Sequence, residues 1–96
     1  RPKNVPDFVP FSLIFLDPPY KMIDDLKPGS RLYVSMERLS KENVSSADCH
    51  LLLRTPRDAE FQCPPVWERY ELLQKSSMDI HFMKKRDIEP TEDQPA

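Results

Sequence analysis

The sequence predicts an α+β domain: a small, mostly antiparallel sheet of about four strands with one helix packed on it. Three observations point there. Short apolar or alternating runs recur along the chain, each closed by proline or a polar stretch. Eleven prolines stand against a single glycine, so the elements are short and their connections stiff. One stretch alone carries apolar residues at helical rather than strand spacing. If that stretch is extended instead, the domain becomes an all-β sandwich.

In chain order, residues 1–10 hold three prolines and read as an extended lead-in. "FSLIFLD" (residues 11–17) is a continuous apolar run, as in a strand buried on both faces, and Pro18-Pro19 ends it. "LKPGS" has the signature of a type II turn, with Pro28 second and Gly29 third, where positive φ is required. Residues 31–39 alternate: Leu32, Val34 and Met36 on one side, Tyr33, Ser35 and Glu37 on the other, which predicts a strand with one wet face. "SKENVSSAD" reads as a polar loop, and residues 49–54 as a third strand ended by Thr55-Pro56. Residues 57–63 read as irregular.

"PPVWERYELLQKS" predicts the helix, with Val66, Tyr70 and Leu73 at i, i+4 and i+7. Pro65 suits its first turn, Glu68 its N-terminal end and Lys75 its C-terminal end. Read the other way, this stretch and "MDIHFMKK" form a hairpin. Residues 78–85 alternate with Met78, Ile80 and Phe82 inward, and residues 88–96 form an acidic, flexible tail. The globular part is thus residues 11–87, in the order β-β-β-α-β.

Ninety-six residues make one domain, and an opening on Arg1 reads as a piece excised from a larger protein. Fourteen basic and sixteen acidic residues give a net charge of -2, so no basic imbalance exists to drive phosphate binding. The "KKR" cluster at residues 84–86 lies beside Asp87, Glu89, Glu92 and Asp93. Neither nucleic acid nor a membrane is expected as a partner, and an intracellular location (cytoplasm or nucleus) is.

Cys49, His50, Cys63 and His81 are possible metal ligands, but no Cys-x-x-Cys or His-x3-His pair supplies a local chelate. Core thiols and surface imidazoles are expected instead, with no metal, no cofactor and no Cys–His nucleophile. "KEN" (41–43) and "NVS" (43–45) carry the letters of a degradation signal and a glycosylation sequon, which need incompatible compartments and an exposed loop.

With no catalytic set in view, the main expectation is a non-catalytic interaction or assembly module. Its partner would be another protein or a second copy, held by an exposed strand edge or by Tyr33, Trp67, Arg69 and Tyr70. An extracellular β-sandwich bridged by Cys49–Cys63 is the first alternative.

The second alternative rests on "SLIFLDPPYK". Asp17-Pro18-Pro19-Tyr20 at the end of an apolar strand resembles the catalytic loop of amino-directed methyltransferases, the N6-adenine and rRNA guanine enzymes. The resemblance implies that Asp17 and the Pro18 carbonyl bind the target amino group while Tyr20 stacks on the base. "LKPGSRLYV" resembles a later turn and strand of these enzymes. The match covers about a quarter of the chain. Only ten residues precede the strand, Gly29 is the sole glycine, and residues 20–27 leave no room for an intervening helix. The expectation is therefore that Asp17 to Tyr20 ends a strand and catalyses nothing.

Overall fold

The computed structural model describes residues 10–86. In chain order the elements are β1 (Phe11–Leu16), α1 (Tyr20–Asp24), α2 (Arg31–Leu39), β2 (Ser45–Pro56), β3 (Trp67–Lys75) and β4 (Met78–Lys85). The strands form one mixed sheet in the order β1-β2-β4-β3. β1 runs parallel to β2, while β2–β4 and β3–β4 are antiparallel. The predicted α+β class holds, with two helices rather than one. The acidic tail and most of the lead-in fall outside the described residues.

The parallel pair explains the helices. Two parallel strands cannot be joined by a tight turn and need a long crossover, usually helical. Here α1 and α2 supply it. "LKPGS" folds as its residues dictate: Ser30 N–H donates to the Lys27 carbonyl at 3.0 Å, and Gly29 takes φ +91°. That turn delivers Ser30 to the N-cap of α2, where its hydroxyl accepts from Tyr33 N–H at 3.4 Å. The strand expected over residues 31–39 is thereby corrected to a helix. Leu32 and Met36 fit both a period of 2 and a period of 3.6, but only the helix also turns Leu39 toward the core.

The helix expected over residues 66–75 is corrected in the opposite sense. β3 is an edge strand with a bulge between Arg69 and Glu71, where Tyr70 is the extra residue. Trp67 and Arg69 precede the bulge on the side paired with Met83, and Leu72 follows it on the side paired with His81. The bulge shifts the strand's parity by one residue, which made Val66, Tyr70 and Leu73 look helical. The alternative hairpin of residues 66–85 is what forms.

The core lies on one face of the sheet. Leu51 and Leu53 of β2, Met83 of β4 and Trp67 of β3 close against Ile23, Leu26, Leu32 and Met36, and residues 57–66 pack along the same side. Trp67, 3% exposed, donates its indole N–H to the Met36 carbonyl at 2.8 Å, so the largest core residue also ties β3 to α2. In β4 the buried positions are Asp79, His81 and Met83, so the expectation that Met78, Ile80 and Phe82 point inward is reversed. β1 departs from expectation too. Ile14 and Leu16 meet the core, but Phe11, Leu13 and Phe15 are 56%, 62% and 54% exposed. The second face of the sheet carries no layer among the described residues. No helix of the described residues is long and apolar enough to cross a membrane.

Candidate functional site

Asp17 to Tyr20 connects the carboxyl end of β1 to the start of α1. Pro18-Pro19 leaves no backbone donor with which to continue the ladder, so β1 stops at Leu16. Pro19 sits at the N-cap of α1 with extended dihedrals, and its carbonyl accepts from Met22 N–H at 3.0 Å. None of the turn and loop hydrogen bonds among the described residues ends on the Pro18 carbonyl. Tyr20 is 68% exposed and stands at the first position of α1. The Asp17 carboxylate faces Arg54 of β2, whose Nη1 donates to Oδ2 at 3.4 Å.

These groups, with Thr55, Ser77 and Met78, line a hollow of about 160 Å³. Small-molecule sites usually enclose roughly 300–1,000 Å³. The hollow is too small to enclose such a ligand by itself, and it is lined by Asp17 and Pro18, which carry carbonyl-type acceptors, and by the Tyr20 ring. A ring bearing a primary amine would find acceptors for both of its N–H bonds at Asp17 and Pro18, and a stacking surface at Tyr20.

The other titratable groups are tied into structure. His81, expected on the surface, is 3% exposed. Arg69 Nη1 donates to its Nδ1 at 3.1 Å, and Nε2 lies 3.0 Å from Thr55 Oγ1, whose hydroxyl in turn donates to the Pro56 carbonyl at 2.9 Å. That chain of donors requires a neutral imidazole with its proton on Nε2. Burial, and then the Arg69 charge, lower its pKa, outweighing Asp79. Asp79, 2% exposed, accepts from Asp58 N–H at 2.9 Å and faces Arg57 Nε at 4.0 Å. It holds the left-handed Asp58 (φ 59°) where the chain leaves β2.

Cys49 and Cys63 are both free, so the bridge of the extracellular alternative is not formed. Burial raises the Cys49 pKa and pushes Cys63 up to about 11. Such thiols stay protonated at neutral pH and are poor nucleophiles. No group of three or more potential metal ligands occurs among the described residues. Cys49 and His50 point to opposite faces, and the "KEN" residues are exposed in the turn before β2.

Of the four residues singled out for partner binding, Trp67 is buried and Tyr33 packs partly against the core. Arg69 is engaged with His81. Tyr70 lies on the bare face, its hydroxyl 2.8 Å from His50 Nδ1 and its ring beside Phe82 and Lys84. The structure does not gather these four into one surface. Arg54 was missed because its contact with Asp17 spans 37 residues and depends on the parallel β1–β2 register.

A nucleotide-like cofactor does not fit the described residues. Gly29 is the only glycine, it opens α2, and a Cβ added there would meet nothing within 4 Å. No backbone turn is thinned to let a phosphate or ribose approach closely.

No family model and no curated protein matches the chain. Solved structures do. A conserved hypothetical protein from Streptococcus pyogenes superposes with a TM-score of 0.61 at 16% identity, over 82% of this chain and 46% of that one. The Escherichia coli protein yhhF, named as a candidate methyltransferase, gives 0.55 at 12% identity, over 79% and 38%. HI0767 of Haemophilus influenzae, named as a candidate methylase, gives 0.56 at 17% identity, over 80% and 44%. The chain therefore spans less than half the length of the structures that it matches. These likenesses correct the expectation of a non-enzymatic interaction, scaffold or oligomerisation module: the chain shares its fold with part of these three proteins, two of which are named as candidate methylases.

Proposed function

We propose that this chain is the amine-binding part of a methyltransferase-type domain acting on a planar, amino-bearing ring such as a nucleobase. The observation that carries the reading is the placement of Asp17-Pro18-Pro19-Tyr20 at the carboxyl end of a parallel strand. Open α/β sheets bind ligands at that end, next to the point where strand order reverses. The likeness to methylase-type structures supports the same reading, and an intracellular location goes with it.

The chain's own residues bind and orient. Asp17 and the Pro18 carbonyl accept hydrogen bonds from the two N–H groups of the amine, which orients it and raises the electron density on its nitrogen. Tyr20 fixes the ring plane by stacking. Arg54 holds Asp17 until an amine displaces it; an exposed pair of this kind is worth about 0–1 kcal/mol, so the exchange is easy. The methyl donor implied by this chemistry is S-adenosylmethionine, for which the described residues provide no cradle. With a net charge of -2, the chain is suited to a ring and its amine and not to a phosphate backbone.

A nucleoside titration followed by NMR at the Tyr20 ring tests this. Adenosine should shift Tyr20 upfield, and Asp17→Ala should weaken binding about tenfold, the loss expected for a charge-assisted hydrogen bond. Purine riboside, which lacks the amine, should bind both forms equally and weakly. Equal adenosine binding by the two forms, or a Tyr20 ring that never responds, refutes the proposal.

A further inference from the structure

Among the residues that line the hollow beside Asp17, Arg54 is the one cation. Its place is set by register. Leu16 pairs with Leu53 in the parallel β1–β2 ladder, and Asp17 and Arg54 each follow that pair by one residue. In-register neighbours carry their side chains on the same face, so carboxylate and guanidinium meet, both about half exposed. The contact is an open one. Arg54 Nη1 lies 3.4 Å from Asp17 Oδ2, where a charge-assisted pair closes to about 2.7–2.9 Å. Among the described residues this is the only side-chain hydrogen bond of the guanidinium, and the rest of its donor fork is unused.

Asp17 and the Pro18 carbonyl are both acceptors. Alone they hold any group with two N–H bonds, a side-chain ammonium as readily as an aromatic amine. What they cannot sense is the atom flanking the amine. In an aminated heterocycle that atom is a ring nitrogen with a lone pair, so the ligand presents a donor and an acceptor side by side. Asparagine and glutamine read adenine by matching that edge with one carbonyl and one N–H. Asp17 and Arg54 present the same two functions from neighbouring strands.

We infer that Arg54 is a specificity residue that donates to the ring nitrogen flanking the amine bound by Asp17. The class it selects is an aminated heterocycle with a lone-pair nitrogen beside the amine, as in adenine or cytosine. This deepens the amine-binding reading proposed above and rests on it. On binding, the amine N–H replaces the guanidinium at Asp17 Oδ2, and the released guanidinium N–H turns to the ring nitrogen. Each group exchanges one partner for another, and none is left without one. An ammonium offers no lone pair and meets the positive charge of Arg54, so it is rejected.

Titrations with adenosine, 1-deazaadenosine and 7-deazaadenosine, followed at the Tyr20 ring, test this. Each analogue keeps the amine and replaces one flanking nitrogen by C–H. At least one of the two should bind about tenfold more weakly than adenosine, the loss expected for a hydrogen bond from a charged donor. Arg54→Ala should weaken adenosine to that level and bind all three ligands alike. If Arg54 only screens Asp17, its removal frees the carboxylate, so tighter adenosine binding by Arg54→Ala overturns the inference. Equal binding of the three ligands by the unmodified chain also overturns it, and with Asp17→Ala still weakening adenosine the amine site stands. Adenosine binding that ignores Asp17 overturns both. The amide spectrum of each variant verifies that it folds.

Discussion

The two ends of the sheet are made of different material. β3 carries Glu68, Arg69, Glu71 and Lys75, is bent by a bulge at Tyr70, and is anchored inward by Trp67. β1 is uncharged, and its exposed side chains are two phenylalanines, a leucine and a serine. The first is a strand that finishes a sheet. The second has the composition of an interior strand and the surroundings of an outer one. The candidate site lies at the second, where the hollow around Asp17 is too small to enclose a ligand by itself. An undersized hollow and an unprotected edge thus share one side of the sheet.

Substitutions at the two ends should separate them, beginning with the largest effect. Trp67→Ala removes the β3 anchor and its bond to the Met36 carbonyl, and should cost about 3–5 kcal/mol in urea unfolding. A loss below about 1 kcal/mol would mean that β3 is not held as described.

Asp79→Ala strips the acceptor from Asp58 N–H and the partner from Arg57, and should cost about 1–3 kcal/mol. Proteolysis should then cut first between β2 and β3, near residues 57–58. An unchanged cleavage pattern would count against the pinning role.

The β3 side should also respond to acid. His81 is neutral when folded and its pKa lies below the 6.5 of a free imidazole. The unfolded chain therefore takes up a proton that the folded chain refuses. Stability is full above pH 6.5 and falls as pH drops below it toward the folded value. His81→Gln should flatten that slope in unfolding curves recorded across the window. A slope unchanged by the substitution would place the titrating group elsewhere.

At β1 the effect should be smallest. Phe15→Ala gives up a side chain that is already half in water, so the isolated chain should lose about 1 kcal/mol or less. A loss like that of Trp67 would show that β1 already has its cover.

Some of this was legible in the residues. Pro28-Gly29 specified its turn, because the φ that glycine allows is a property of three consecutive residues. Pro18-Pro19 ended β1 for the same local reason, and the Asp17–Tyr20 motif was visible as a string. Its weight was misjudged. The missing glycines count against a complete cofactor-binding domain, not against part of one; α1 lies inside the connection that looked too short for a helix, and α2 takes up the residues read as the next strand. Arg54 and His81 were out of reach, since their partners lie 37 and 12 or more residues away.

Taken by itself, the sequence determined the turns, the strand ends, the scarcity of glycine and the Asp17–Tyr20 string, all of which are set within a few bonds. Only the tertiary structure decided that residues 31–39 wind and residues 67–75 extend. Leu32 and Met36 suit either period, and a single extra residue at Tyr70 gives a strand the spacing of a helix. In both places the choice fell to what lay opposite: a parallel β1–β2 pair that demanded a helical crossover, and a core into which Trp67 had to reach.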